Sequence, residues 1–260
     1  MDPVLQGALA EPFIKVACHL LSIALLIGVW QAFGHSFGIL FVPFTTTMVR
    51  LWEMLVSGPL LPALLISGKL YVTTLAISIV AGVSIGIVLA RMKLISAALE
   101  PYVYILYALP TISLVPFVSV LFGFDFWPQV LVAVLISIFP VLLGVMQGAR
   151  SIPQKHLDVA AMFGSNEAQL WRDVILPYVV PFAMSGIKQS IALSMAGTLV
   201  AEFFLNPDGV AAVLLQATTI IDSASVLAVT VFIAAIAVVL VGIGEVIERR
   251  LVAWRSTSVG

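Results

Sequence analysis

The chain has 260 residues, of which 62% are hydrophobic and only 10% charged. A soluble domain is roughly half apolar and about a quarter charged, so this composition excludes a water-facing surface and requires lipid over most of the outside. The formal net charge of −1 argues against a nucleic-acid partner, which calls for a basic stripe, and the lone Cys18 excludes an intrachain disulfide or a cysteine-based metal site.

Six long apolar stretches follow one another along the chain, approximately Val16–Phe33, Leu70–Ala90, Pro101–Phe124, Val130–Ala149, Met184–Leu205 and Val226–Gly244. Each approaches the ~20 residues with which an α-helix crosses the hydrocarbon. Their continuity excludes barrel strands, which alternate. The first lacks a basic leader and a small-residue cleavage site, so it reads as a retained span.

Lysine and arginine set the orientation. Arg91 and Lys93 follow span two, Arg150, Lys155 and Arg172 lie between spans four and five, and Arg249, Arg250 and Arg255 follow span six. The connections at 125–129 and 206–222 hold none, and only Arg50 and Lys69 fall on the other side. This bias predicts both termini and the 150–181 segment in the cytoplasm.

The first external loop carries Phe44, Met48, Leu51, Trp52 and Leu55 at helical spacing, with Thr45, Thr46 and Thr47 as N-cap candidates. It predicts a short amphipathic helix, either on the outer membrane surface or packed on the spans, ended by Gly58-Pro59. Span two has Ser78, Gly82, Gly86 and Ala90 at every fourth position, a spacing that lets helix backbones approach closely. Span three contains Pro110 and Pro116. Each removes a backbone donor and tends to kink a helix, and freed carbonyls are tolerated in a membrane where they meet protein or a watery path.

The longest charged stretch is 150–181. Lys155–Phe163 predicts a short helix, Gly164 a break, and a second helix runs to Leu176 before Pro177. Such an elbow exceeds what a connector needs and is built to dock into something in the cytoplasm. Among the polar residues of the spans, Glu202 is the sharpest, because a carboxylate in a span is costly and marks function by default. Its position near the outer end also allows it to reach water or to serve as a structural hydrogen-bonding group. Lys188, near the inner end, can carry its ammonium to the interface on its long stem. Thr111, Ser113, Ser194 and Thr198 either line a polar path or bond a neighbouring helix.

The 150–181 segment resembles the coupling loop of ABC importer permeases. That pattern runs Glu-Ala-Ala, three residues, Gly, nine residues, then Ile-x-Leu-Pro. Asp158, Val159 and Ala160 stand in the first three places, Gly164 matches, and Val174, Leu176 and Pro177 fill the last element. Asp for Glu and Val for Ala are departures, and Asp keeps the charge. Ala108-Leu109-Pro110, Leu114-Val115-Pro116, Phe122-Gly123, Gly186-Ile187-Lys188, Val200-Ala201-Glu202 and Arg249-Arg250-Leu251 resemble the nitrate, sulfonate and taurine subgroup. The subgroup's later Gly-Leu-Gly stands here as Asp208-Gly209-Val210.

The resemblance implies an all-α, polytopic bacterial inner-membrane protein of type I ABC importer permease fold. It would have about six transmembrane helices, a coupling-helix loop and a short external helix. The expected segments are 1–43 with the first span, 44–68 outside, a permease core at 69–250, and a tail at 251–260. Asp158, Ala160, Ala161, Gly164, Leu176 and Pro177 would couple to a separate cytoplasmic ATPase, which alone would bind ATP and Mg. No phosphate-binding loop occurs in this chain, so no cofactor is expected in it. Pro110, Thr111, Ser113, Ser194, Thr198 and Glu202 are the candidates for the translocation path of a small solute, most naturally an anion. A second permease copy and an external solute-binding protein would complete the importer. Two other classes fit the residues less well. A secondary transporter would show internal repeats and midplane charges, whereas no convincing repeat occurs and the charges sit near the ends of spans; an intramembrane enzyme would show paired catalytic side chains at depth, and the sequence offers none.

Overall fold

The structure is a computed structural model that describes residues 3–34, 36, 38, 41–56 and 58–252; the side chains of 3–16 and of Lys93 lie outside the description. Every regular element among the described residues is helical. The helices are α1 (Pro3–Phe33), α2 (Phe44–Val56), α3 (Leu60–Arg91), α4 (Lys93–Ala108), α5 (Val115–Phe122), α6 (Phe126–Arg150), α7 (Gln154–Met162), α8 (Glu167–Gln169), α9 (Leu176–Phe204), α10 (Gly209–Thr219) and α11 (Ser223–Leu251). Four unbroken helical stretches among the described residues are long and apolar enough to cross a bilayer: α3, α6, Glu167–Phe204 and α11. The α4–α5 pair adds a fifth that is bent by 91°, and Ala17–Phe33 is a shorter apolar helix at the first expected span. This is a multi-pass membrane protein.

Several predicted boundaries move, two of them for a physical reason that the structure shows. Span two begins at Leu60, ten residues before the expected Leu70, and runs through Lys69. Lysine is a good helix former, so Lys69 continues the helix, and its ammonium lies over the Phe126 ring, 4.8 Å from the centroid. Pro177 does not end the second helix of the 150–181 segment either. A π-helical stretch, Leu170–Ile175, carries α8 straight into α9, with Pro177 in the first turn of the latter. The wider π turn absorbs the ring and the missing donor of a proline that would otherwise break the run.

The chain divides into two compact units. The larger comprises Pro62–Ala212 and Ile233–Gly260. Its centre is α6, against which α9 runs antiparallel and α3 parallel. The every-fourth-residue stripe of α3 makes the second contact: a Cβ on Gly82 would stand 2.8 Å from the Val141 Cβ, and one on Gly86 2.7 Å from the Val145 Cβ. In the same register the Ser78 and Ser137 hydroxyls share a 2.7 Å hydrogen bond. Along the other seam Gly186 meets Pro140, Ser190 donates to the Ser137 carbonyl at 2.8 Å, and Gly197 meets Ala133. Small residues thus do for two helix seams what GxxxG motifs do in bilayers generally.

The smaller unit comprises Met1–Leu61 and Val213–Phe232. Helix α2 forms as expected, with Thr47 and Met54 buried and Val49, Trp52 and Val56 exposed. Its threonines do not cap it. Gln31 of α1 does so instead, accepting from the Thr45 N–H at 3.1 Å while its own amide donates to Thr45 Oγ1 at 3.2 Å. Arg50 joins Ser225 at 2.8 Å and Asp222 at 3.2 Å. Burial pushes the Asp222 carboxyl up, but the Ser225 hydroxyl and N–H and the Arg50 guanidinium outweigh it and leave the group below the usual carboxylate range.

Candidate functional site

The elbow at 150–181 is specified by its own hydrogen bonds. Pro153 is extended and starts α7. At the other end the Ser165 N–H reaches the Ala160 carbonyl and the Gly164 N–H that of Ala161, both at 3.0 Å. This is a Schellman close, and it puts Gly164 at the left-handed position with φ 68°. Asn166 and Gln169 then exchange side-chain bonds in a capping box, each at 2.9 Å, and start α8. The six coupling candidates lie on this one segment. Asp158 is exposed and takes a 3.0 Å bond from Gln154, Ala160 is buried, Ala161 and Gly164 are open, and Leu176 and Pro177 begin α9.

The elbow presents two large apolar side chains to the outside: Met162 is 85% exposed and Phe163 86%. Beside them His156, Val159, Asp173 and Tyr178 line a hollow of about 260 Å³. Sequence reasoning passed over Met162 and Phe163, although two apolar residues just before a helix-closing glycine were the available signal. Ion pairs fasten the neighbourhood. Arg91 at the end of α3 pairs with Glu167 of α8, and Arg150 pairs with Glu100 of α4 at 2.7 Å and bonds Ser96.

The six path candidates fall into two separate groups. Pro110, Thr111 and Ser113 sit together at the break between α4 and α5. There the chain leaves α4 at Leu109, makes one 3₁₀ turn over Thr111–Leu114 and re-enters helix. Ser113 caps this turn, with both its N–H and its hydroxyl on the Pro110 carbonyl, at 2.8 and 2.7 Å. Pro110 and Ser113 are exposed, as are Tyr102, Tyr104 and Tyr107 of α4. Pro116, expected to kink a span, stands at the start of α5, where its missing donor costs nothing.

Ser194, Thr198 and Glu202 form the second group, one buried face of α9. Ser190 extends it below, and Ser67, Thr74 and Ser78 of α3 with Ser137 of α6 are also buried. The spacing of four in 190, 194, 198 and 202 was legible in the sequence and was not used. Glu202 is 1% exposed; one carboxylate oxygen accepts from the Ala211 N–H at 3.2 Å, at the first turn of α10. Ser67 takes the Val210 N–H at 2.9 Å. Gly209, with φ 61°, has no room for a Cβ, because the Ser67 hydroxyl and the other Glu202 oxygen, 2.8 Å away, would meet it. Glu202 therefore acts as a cap holding α10 to α9.

Lys188 differs from its expected snorkelling position. Its ammonium is held by Glu248 of α11 at 2.5 Å, with both side chains about a quarter exposed. Lys188→Met should therefore cost about 1–2 kcal/mol, between a surface and a fully buried pair. Thermal unfolding in detergent should show that loss, and the exchanged pair Lys188→Glu with Glu248→Lys should regain most of it. No regain in the exchanged pair would show that the ion pair carries no stability.

The profile of the family described as binding-protein-dependent transport system inner membrane component matches residues 78–253. The chain is 29% identical over 168 residues to the riboflavin transport system permease protein of Chloroflexus aurantiacus, a match that covers 65% of this chain and 63% of that protein. It is 28% identical over 243 residues to a putative aliphatic sulfonates transport permease protein of Bacillus subtilis, over 91% of this chain and 87% of the other. Its fold is shared with a chain of an inward-facing methionine ABC transporter, at a TM-score of 0.63 and 16% identity, over 74% of this chain and 95% of that one.

Proposed function

The chain belongs to the family of binding-protein-dependent transport system inner membrane components, and from that premise we propose that it is the permease subunit of an ATP-driven importer of a small solute. The observation that carries the coupling role is the elbow. A Schellman-closed helix projects Met162 and Phe163 outward, and the run behind it continues unbroken from Glu167 to Phe204. An ATPase docked on Asp158, Ala160, Ala161 and Gly164 would move that helix as one body at Leu176 and Pro177. Since α9 packs on α6 through backbone-to-backbone contacts, the motion would reach the bundle without slack.

ATP and Mg belong to the ATPase on this reading, and this chain hydrolyses nothing. The exposed break at Pro110, Thr111 and Ser113 favours that group over the buried one as the wall of the path, completed by a second copy of the chain. Glu202 would bear on transport through the seat of α10 and not by touching solute. An external binding protein would deliver the solute. A small organic or inorganic anion is the class favoured, supported by the likeness to the sulfonate permease over 91% of this chain.

The test joins topology to partnership. In a Cys18→Ser background, Ile220→Cys should react with an impermeant thiol reagent added to sealed cells, and Met162→Cys should not. The tagged chain should bring an ATPase with it from detergent. Labelling of Met162→Cys from outside, or hydrolysis by the purified chain alone, would overturn the proposal.

A further inference from the structure

A groove of about 630 Å³ lies in the larger unit between α3, α9 and α11. Its exposed surface is mostly apolar, from Leu65, Val72, Leu199, Ile233 and Leu240 among others, and Ser67, Tyr71 and Thr73 also line it. The wall opens at Gly68, where an added Cβ would meet nothing within 4 Å.

The groove is polarised along the bilayer normal. Lys69, one of its lining residues, stands about 33 Å from Arg91 along one continuous helix at ~1.5 Å per residue, the thickness of the hydrocarbon. Lys69 therefore marks the membrane face opposite Arg91. The α11 residues Ile233, Ile236 and Leu240 descend from that side toward the middle, covering about 10 Å at the same rise. Among the described residues no carboxylate pairs with Lys69; the Phe126 ring positions its ammonium without neutralising it. A second polar group is also unanswered. Thr198 lines the groove, is 1% exposed, and its hydroxyl has no partner.

An unneutralised ammonium at the interface, a mostly apolar channel running down from it, and one idle hydroxyl on the way have the polarity of a lipid of that leaflet. We propose that this groove binds an anionic phospholipid, with an acyl chain against α11, the phosphate on Lys69 and the Thr198 hydroxyl available to an ester carbonyl. The site is independent of the transport reading and requires only that the chain spans a bilayer. The charge selects the headgroup, since a lysine near the surface favours an anionic lipid about fivefold.

The probe is phosphatidylglycerol against phosphatidylcholine, counted on the purified transporter by native mass spectrometry after reconstitution in equal amounts. Wild type should retain phosphatidylglycerol preferentially. Lys69→Gln should reduce that preference about fivefold, and Gly68→Phe, which fills open space, should remove retention of both lipids with no loss of thermal stability. Equal retention of the two lipids by wild type would overturn the proposal. So would unchanged retention in both variants. A disulfide formed between two copies through Val72→Cys in the Cys18→Ser background would also overturn it, by showing that a second chain fills the groove.

Discussion

Gly186→Ala should prevent normal accumulation of the protein, although it adds a single methyl group. The methyl would stand 2.9 Å from the Pro140 carbonyl carbon and 3.0 Å from the Val141 Cα, and closer still to the Pro140 oxygen. All three are backbone atoms of α6, so no rotamer change relieves the clash. The helices would have to separate along a seam where Gly144 abuts Phe182 and Gly148 abuts Val179. Overpacking a tight core costs about 1–3 kcal/mol when side chains can give way. Here only backbone can move, and the expected cost is above ~3 kcal/mol, a large part of a domain's ~5–15 kcal/mol. The control is Gly242→Ala on α11, where nothing lies within 4 Å; it should be neutral or stabilising by up to about 1 kcal/mol. Membrane-level blots and thermal unfolding of the two variants decide the matter. Equal melting temperatures would mean that the α6–α9 seam is looser than its contacts imply.

The legible parts of this protein were those written in single-residue chemistry. Composition excluded a soluble fold, the period of four in Ser78, Gly82 and Gly86 marked a helix seam, and Gly164 marked the elbow. What stayed hidden depended on partners distant in sequence. Lys69 ended an apolar window on paper, yet its stem reaches Phe126 and the helix continues. Lys188 read as an ammonium seeking water because nothing near it in sequence is acidic, whereas Glu248 lies on α11. Pro177 read as a stop because the compensating π turn has no sequence signature. Glu202 was legible as a carboxylate within a span, but its place as a cap depends on Gly209 and Ser67, which the fold alone brings to it.

Gly164→Val should leave the protein in the membrane and abolish transport. Gly164 closes α7 with φ 68°, a region in which a β-branched residue is strained by about 1–2 kcal/mol. The space around it is open, with nothing within 4 Å of an added Cβ, so the chain itself offers no steric objection. The strain falls on two bonds, Ser165 to Ala160 and Gly164 to Ala161. Losing them would redirect Met162 and Phe163, the apolar pair that the elbow projects, and the valine side chain would stand in the space a docked ATPase needs. The seams of α3, α6 and α9 lie elsewhere and should hold. The expected result is a normal membrane level and thermal stability within ~2 kcal/mol of wild type, with ATPase co-purification and solute uptake both lost. Gly164→Asn separates the two causes, because asparagine tolerates the left-handed region. It should restore the elbow and recover part of the coupling. Normal uptake by Gly164→Val would reduce the elbow to a connector. Uptake lost equally in both variants would place the whole effect in the docking contact and none in the turn.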